Sequence, residues 1–355
     1  MRRLTVVQLL PALSSGGVER STLETAQALV RAGHRSVVVS AGGRLVAELE
    51  ATGSTHVVLD IGRKSATTVR QVLPLHRLLK QWQPDIVHAR SRLPAWLGWL
   101  ALKSARLPHT HFLTTVHGLN SPGAYSRILT RGERVVCVSE TVRAHVLRQW
   151  PQTPPERLLV IEPGIDPREF SAGGPAHSGS GTRLLMPGRG TRLKGHAAAI
   201  ELLAGLRAAG VDAQLSLLGA RESGREAYLA ELEALATELG VAGQLAIEAP
   251  TAQVLEAYRN CDLVLQLSAK PEAYGRTVVE ALSVGKPVVG WDHGGVGELL
   301  ARHFPEGRVA KGDPQALLAT TLRLLAEARR PGPVHAQTLA AMQAQTLGLY
   351  ESIAG

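Results

Sequence analysis

Residues 5–40 decide the fold class, and they read TVVQLLPALSSGGVERSTLETAQALVRAGHRSVVVS. An apolar run from Thr5 to Leu10 is followed by a glycine-containing loop and by apolar residues at helical spacing. A second apolar run, Val37 to Ser40, closes the stretch. This order predicts strand, loop, helix and strand. Because a helical crossover joins strands that run in the same direction, residues 5–40 predict a parallel sheet.

The same order recurs in the second half of the chain. An apolar run at residues 184–187 precedes a loop at 188–194, a helix over 195–209 and a strand at 214–218. Two such units predict two doubly wound α/β domains. The stretch between them, Ser171 to Gly181, holds no residue that could anchor a core, so it predicts a linker. Further strands are expected at residues 85–89, 110–116, 135–139, 158–161, 245–248, 263–267 and 287–290.

Length and composition limit the class of protein. The chain has 355 residues, of which 45% are hydrophobic and 19% charged, and this excludes a disordered, collagenous or coiled-coil protein. The two cysteines, Cys137 and Cys261, lie in apolar stretches and cannot build a disulfide framework or a thiol zinc site. No run of about 18 apolar residues occurs. These features predict a cytoplasmic protein.

The positive charge is concentrated in the first half of the chain. Residues 1–165 carry 21 Lys and Arg against 10 Asp and Glu, whereas residues 166–355 carry 18 against 20. Such an asymmetry suits nucleic acid, an anionic membrane or an acidic substrate, or it reflects only an Arg-rich composition. Within this half, residues 93–106 with Trp96 and Trp99 predict a core helix, with an interfacial membrane helix as the alternative.

Two strand-to-helix loops in the second half carry the residues best suited to chemistry. The loop Gly188 to Gly195 brings Arg189, Arg192 and Lys194 to a helix start, where cations and free amides suit a phosphate; a solvated basic loop is the alternative. The loop that begins at Ser268 places Glu272 before a helix and Glu280 within it. In open α/β sheets, ligands bind beyond the carboxyl ends of the strands, where both loops lie.

The motif around the two glutamates resembles the signature of retaining glycosyltransferases of family 4, which adopt the GT-B fold. Tyr274-Gly275 lies between Glu272 and Glu280, and His293-Gly294-Gly295 follows the next strand. Other elements similar to those of the family occur in family order: Gly16-Gly17-Val18-Glu19-Arg20, Asp85-Ile86-Val87-His88, Val116-His117-Gly118, Val138-Ser139-Glu140, Gly164-Ile165-Asp166 and the Gly188 to Gly195 loop. The resemblance covers nearly the whole chain.

The resemblance implies a role for each matching residue. Arg189 and Lys194 would hold the diphosphate of a nucleotide sugar, and Glu280 would bind the ribose hydroxyls, because a carboxylate has two acceptor oxygens suited to a diol. His117 would contact the donor sugar near the reacting carbon; the residue pattern alone favours a structural histidine at a strand end. Catalysis would use His117, Glu272, Arg189 and Lys194, and donor binding Gly16, Gly17, Arg189, Lys194, Tyr274, Gly275, Arg276, Thr277 and Glu280.

No metal and no cofactor besides the donor are expected. The chain has no Asp-x-Asp motif, and cations at a helix start can stabilise a leaving diphosphate directly. His109-x-His111 is explained by alternation along a strand rather than by a metal site.

The resemblance also implies a domain organisation. The chain would begin with an acceptor-side domain (residues 1–165), followed by a linker (166–181) and a nucleotide-sugar domain (182–330). In the last segment, 331–355, a helix near Ala336 to Tyr350 would cross back to the first domain. The two Rossmann-like domains would face each other across a cleft.

The expected activity is metal-independent hexosyl transfer to an acceptor hydroxyl with retention of configuration. The expected acceptor is a bacterial envelope glycan or glycolipid such as lipopolysaccharide core, reached in the cytoplasm or peripherally on the inner face of the cytoplasmic membrane. Two alternatives stay open, a nucleotide-sugar epimerase of the same fold and a basic nucleic-acid-binding protein. Against a nucleic-acid-binding protein, the sequence has neither a helix-turn-helix nor an aromatic-basic stacking motif. The base, sugar, linkage and oligomeric state also stay open.

Overall fold

In the computed structural model, the described residues are 2–14, 16–171, 181–251, 253–332, 334 and 338–355. The chain divides into two compact units, Met1–Gly164 with Leu339–Gly355, and Ile165–Thr338. Residues 172–180, most of the predicted linker, lie outside the described residues, as does Ala336.

The first unit is built on a parallel sheet of seven strands. These are β1 (Thr5–Leu9), β2 (Arg35–Ser40), β3 (Thr55–Val58), β4 (Ile86–Ala89), β5 (His111–Val116), β6 (Arg134–Cys137) and β7 (Leu158–Val160). Their order is β3-β2-β1-β4-β5-β6-β7, and Val7 of β1 lies opposite Val37 on one side and Val87 on the other. The chain therefore reverses its direction of winding beside β1, which makes a topological switch point between β1 and β4.

Within the described residues of this unit, six helices connect the strands: α1 (Gly17–Arg31), α2 (Val46–Ala51), α3 (Val72–Trp82), α4 (Arg92–Ala105), α5 (Ala124–Arg127) and α6 (Glu140–Gln149). The central strand β1 reads as an almost unbroken apolar run because it is covered on both faces, and Val6, Val7 and Leu9 are fully buried.

The second unit repeats this plan with six strands: β8 (Thr182–Leu185), β9 (Ala213–Leu217), β10 (Leu245–Ile247), β11 (Leu263–Gln266), β12 (Val288–Trp291) and β13 (Arg308–Val309). The order is β10-β9-β8-β11-β12-β13, all parallel, with a switch point between β8 and β11. Its helices are α7 (His196–Ala208), α8 (Glu226–Glu238), α9 (Val254–Arg259), α10 (Arg276–Ser283), α11 (Gly294–His303) and α12 (Pro314–Ala326).

A last helix, α13 (Leu339–Ala354), belongs to the first unit. Its buried residues Met342, Leu349 and Tyr350 join one apolar core with residues of β1, α1, β4 and β5. Burial of this apolar face holds the end of the chain on the first unit. The helix ends four residues beyond the end expected from the sequence.

The prediction of two doubly wound α/β domains is confirmed, and two strands were missed. β3 is a half-exposed edge strand, and β13 has only two residues, so neither shows the long apolar run that marked the others. Within the described residues, no helix is both long and apolar enough to cross a membrane.

Candidate functional site

The loop between β8 and α7 is held in one shape by close contacts at its glycines. A Cβ on Gly190 would lie 2.1 Å from the Ala220 carbonyl oxygen, and one on Gly195 would lie 1.8 Å from the Leu267 carbonyl oxygen. Gly195 also has a φ of +81°, which only glycine adopts readily. The loop therefore lies against the carboxyl ends of β9 and β11, and this contact places Lys194 beside the loop that follows β11.

Lys194 forms an ion pair with Glu272. Its Nζ lies 2.6 Å from Oε1 of Glu272, and both side chains are about three-quarters buried. The Ser268 hydroxyl donates a hydrogen bond to the same carboxylate oxygen. The structure thus brings together a cation predicted to bind diphosphate and a carboxylate predicted to bind sugar, from loops 78 residues apart in sequence.

The carboxylate of Glu280 is held on the first turns of α10. Tyr258, a fully buried residue of α9, donates a hydrogen bond of 2.8 Å to Oε2, and the Arg276 Nε lies 3.5 Å from Oε1. Burial, and next the neighbouring Glu280 charge, raise the pKa of Tyr258 well above its usual value, so the phenol keeps its proton and remains a donor. Sequence reasoning missed Tyr258, because nothing in its local pattern marks it as more than a core aromatic.

The start of α10 is arranged around Gly275. This residue precedes the helix with a φ of +123°, which favours glycine, and Arg276 and Thr277 follow in the first turn. Tyr274 is buried. The free amides of a helix start suit an anion, as the sequence predicted for this position.

The start of α11 supports the Glu272 loop from the other side. The amide of Gly295 donates a hydrogen bond of 2.8 Å to the Glu272 carbonyl oxygen, and a Cβ on Gly295 would lie 2.2 Å from the Tyr274 carbonyl oxygen. Nε2 of His293 lies 2.9 Å from the Ser268 carbonyl oxygen. The glycines after His293 are thus needed for close packing against the loop that carries Glu272.

The three cations of the β8–α7 loop have different surroundings. Arg192 turns to α8, where it pairs with Glu231 and lies over the ring of Tyr228. Arg189 is exposed, and within the described residues its guanidinium forms no ion pair or hydrogen bond. Lys194 is therefore the loop cation that contacts the Glu272 carboxylate.

In the first unit, the predicted residue Gly16 lies in the loop that follows β1, Gly17 is the first residue of α1, and His117 directly follows β5. Gly16 precedes α1 with a φ of +137°, and a Cβ on Gly17 would meet nothing within 4 Å. Nε2 of His117 is buried and has no hydrogen-bond partner among the described residues. Burial, with a smaller contribution from the Arg90 guanidinium, lowers the pKa of His117 to about 3, so the ring is neutral at physiological pH.

A buried polar network adjoins His117, and sequence reasoning did not find it. Arg90, which follows β4, donates hydrogen bonds to Gln8 Oε1 at 2.6 Å and 3.0 Å and to Thr25 Oγ1 at 2.9 Å. His88 joins Tyr350 and Thr115: its Nδ1 lies 2.6 Å from the Tyr350 hydroxyl and its Nε2 lies 2.7 Å from Thr115 Oγ1. The network connects α1, α13 and three central strands at the switch point of the first sheet.

Comparison with known proteins places the chain in a family. The sequence model of Glycosyltransferase Family 4 matches residues 15–169, and that of Glycosyl transferases group 1 matches residues 169–333. A D-inositol 3-phosphate glycosyltransferase of Jonesia denitrificans is 29% identical over 297 residues, which cover 71% of this chain and 68% of that protein. Matches to further enzymes of that name span 55% to 63% of their length.

Solved structures agree with the family models. A glycosyltransferase from Rickettsia africae has a TM-score of 0.85 at 26% identity over 99% of both chains. Anabaena HepE in complex with UDP-glucose has a TM-score of 0.83 at 20% identity, covering 99% of this chain and 100% of HepE. With two family models that together span residues 15–333 and two parallel sheets of the expected kind, the chain belongs to glycosyltransferase family 4 and has the GT-B fold.

Proposed function

We propose that this protein transfers a hexosyl unit from a UDP-sugar to an acceptor hydroxyl with retention of anomeric configuration. Two observations carry the proposal: the pairing of Lys194 with Glu272 at the switch point of the second sheet, and the orientation of the Glu280 carboxylate by Tyr258. The complex of HepE with UDP-glucose supports uracil as the base.

The ion pair prepares the site for the donor. Lys194 and Glu272 neutralise each other in this ion pair. The diphosphate competes for Lys194, and Glu272 is then free to accept hydrogen bonds from sugar hydroxyls. Glu280 accepts hydrogen bonds from the ribose diol, because Tyr258 fixes one of its oxygens and leaves acceptor capacity on the carboxylate.

Departure of the nucleotide places negative charge on the β-phosphate. Lys194, Arg189 and the amides at the start of α10 stabilise this charge in the transition state more than in the ground state, which raises turnover without requiring a metal. The bond between the sugar C1 and the phosphate oxygen breaks, and a bond to the acceptor oxygen forms on the same face. The acceptor proton passes to the departing phosphate oxygen. His117, neutral at working pH, contacts the transferred sugar.

The proposed acceptor is an anionic envelope glycan or glycolipid, lipopolysaccharide core among them, which the enzyme reaches from the cytoplasm at the membrane surface. The excess of 11 positive charges in residues 1–165 supports an acidic acceptor, as does the phosphate in the name of the related D-inositol 3-phosphate glycosyltransferases.

The test is a proton NMR time course with UDP-, GDP- and ADP-hexoses, each with and without a panel of phosphorylated glycans. We expect turnover of the UDP-sugar and a product with the donor's α-configuration. A β-linked product contradicts retention, whereas interconversion or release of the sugar at the same rate without acceptor favours the epimerase.

A further inference from the structure

The helix α3 and the 3-10 turn before it, Ala66–Gln71, present an apolar patch to solvent. Val69 is 59% exposed and Leu73 is 55% exposed. Leu75 and Leu79, on the opposite face of α3, are fully buried, so the core already has its apolar contacts from this helix. Val69 and Leu73, four positions apart in sequence, therefore leave more than half of their surface in water rather than in the core.

Cations surround these two residues. Arg70, Arg77 and Lys80 are exposed, and Arg77 and Lys80 follow Leu73 at intervals of four and three residues, on the same helix face. Among the residues that the structure describes, none of these three cations forms an ion pair. We call Val69, Arg70, Leu73, Arg77 and Lys80 the α3 face.

The surrounding sequence is almost free of acidic residues. Residues 61–132 contain 11 Lys and Arg, and their one acidic residue is Asp85. Asp85 is buried against Arg2 and accepts a hydrogen bond from the Thr5 amide, so it does not neutralise the exposed cations. Helix α4, which packs against α3, adds Arg92 and Lys103 and no carboxylate. Nearly all the excess positive charge of the first 165 residues thus belongs to this stretch.

We propose that the α3 face docks on an anionic lipid surface, with Val69 and Leu73 entering the interface and Arg70, Arg77 and Lys80 lying among the lipid phosphates. Unpaired cations beside exposed aliphatic side chains complement anionic headgroups over an apolar interior. A nucleic acid fits this face less well, because bases stack on aromatic side chains and the face has none. The inference rests on the membrane contact in the proposed function and adds the surface that makes it.

The tryptophan-bearing helix α4 is less suited to this contact. Its apolar residues Leu97, Gly98 and Ala101 are turned inward. Trp96 donates from Nε1 to the Tyr125 carbonyl oxygen at 3.0 Å, and the cations of Lys103 and Arg131 both lie over the Trp99 ring. These contacts make α4 a core helix, the first of the two interpretations of its sequence.

Sedimentation with vesicles tests the proposal on the full-length protein. The vesicles contain 30% phosphatidylglycerol in phosphatidylcholine, or phosphatidylcholine alone, and salt is varied. We expect binding to the anionic vesicles only. The variant R70Q/R77Q/K80Q should lower the partition coefficient at low salt by about fivefold per cation removed, on the order of 100-fold in total. The variant V69S/L73S should lower it about tenfold, at both low and high salt, because burial of apolar surface is not screened.

Matched controls separate the α3 face from general charge and apolarity. R31Q/R134Q/R157Q removes three exposed cations from elsewhere in the same unit, and V58S removes a valine that is 72% exposed on the edge strand β3. Both controls should bind within about threefold of the wild type. Equal losses in the controls and the α3 variants overturn the proposal, since they indicate that only net charge or general surface apolarity matters.

Two further measurements distinguish failure of this inference from failure of the proposed function. If the wild type binds neither vesicle type, docking through the α3 face and membrane contact in general are both refuted. Turnover of the UDP-sugar in solution then still tests glycosyl transfer. The second measurement is binding of a single-stranded RNA oligonucleotide. If the wild type binds the RNA but no vesicles, and the α3 variants lose RNA binding, the α3 face binds nucleic acid and the proposal is overturned.

Discussion

Lys194 and Glu272 contact each other through Nζ and Oε1 at 2.6 Å, although one follows β8 and the other follows β11. The two strands are neighbours in the sheet but are separated by two further strands in sequence. The pairing therefore depends on the crossover topology, because the switch point brings the two opposite charges into contact.

Replacement of the loop cations should reduce turnover. Lys194→Ala removes a cation that stabilises the leaving phosphate, and we expect kcat to fall by about 10² to 10³-fold, the usual cost of losing one transition-state donor. Arg192→Ala is the matched control, because Arg192 pairs with Glu231 and should change kcat less than about threefold. A Lys194→Ala enzyme with near-normal kcat would remove Lys194 from the leaving-group site.

The two glutamates should separate in a nucleotide-binding experiment. Glu280→Ala deletes the acceptor for the ribose diol and should weaken UDP binding by about 10- to 100-fold, since hydrogen bonds to a charged group contribute roughly 1.5–3 kcal/mol. Glu272→Ala releases Lys194 for the diphosphate, so UDP should bind equally well or more tightly while sugar transfer is lost. Isothermal titration calorimetry with UDP measures both. Equal loss of affinity in the two variants contradicts this assignment.

Tyr258 should act on the nucleotide through Glu280. Tyr258→Phe keeps the ring in the core and removes the hydroxyl that donates to Glu280 at 2.8 Å. We expect UDP affinity to fall by up to about tenfold, with little change in kcat at saturating donor. In the Glu280→Gln background the effect of Tyr258→Phe should shrink, because the charge-assisted hydrogen bond is already gone. Independent, additive effects would indicate that Tyr258 has only a structural role.

Buried histidines should make the fold sensitive to acid. Burial, with a smaller contribution from Lys194, lowers the pKa of His196 to about 4, and burial with Arg90 lowers that of His117 to about 3. Unfolded histidines bind a proton near pH 6.5, so the unfolded chain holds more protons between pH 6.5 and these lower values. The free energy of unfolding should therefore fall as the pH decreases through this window.

Urea denaturation at a series of pH values measures this dependence. His196→Asn should reduce the slope of the unfolding free energy against pH by up to about 1.4 kcal/mol per pH unit. The exposed residue His109 provides the control, and His109→Asn should leave the slope as in the wild type. An unchanged slope in His196→Asn would show that this histidine does not couple folding to pH.

The hydroxyl of Tyr350 should stabilise the docked C-terminal helix. Tyr350→Phe leaves Nδ1 of the buried His88 without its partner at 2.6 Å, and an unsatisfied buried group costs about 1–3 kcal/mol. Urea unfolding of Tyr350→Phe should show a loss of this size, and Tyr125→Phe, at an exposed tyrosine, should show almost none. If both variants match the wild type, the hydroxyl contributes nothing to the docking of α13.

Several features of the site could be predicted from sequence because they are encoded locally. The apolar runs and glycine loops of residues 5–40 and 184–218 specify strand, helix and direction within a short window, and the whole Glu272 to Glu280 motif lies in one loop and one helix. The positions of Gly190, Gly195 and Gly275 were also readable, and the structure adds that each is crowded by neighbouring atoms or takes a positive φ.

By itself, then, the sequence determined the fold class, the family signature and the residue types at the carboxyl ends of the strands. The tertiary structure alone decided which of those residues meet. Lys194, and not Arg192, contacts Glu272, and Tyr258 contacts Glu280. His88 contacts Tyr350, which lies 262 residues away in sequence. Local sequence patterns indicate which face of a segment is buried. They do not indicate which polar group from a distant part of the chain lies opposite a given side chain. That choice depends on strand order, and strand order arises when the units fold and their crossovers bring remote loops to one sheet edge.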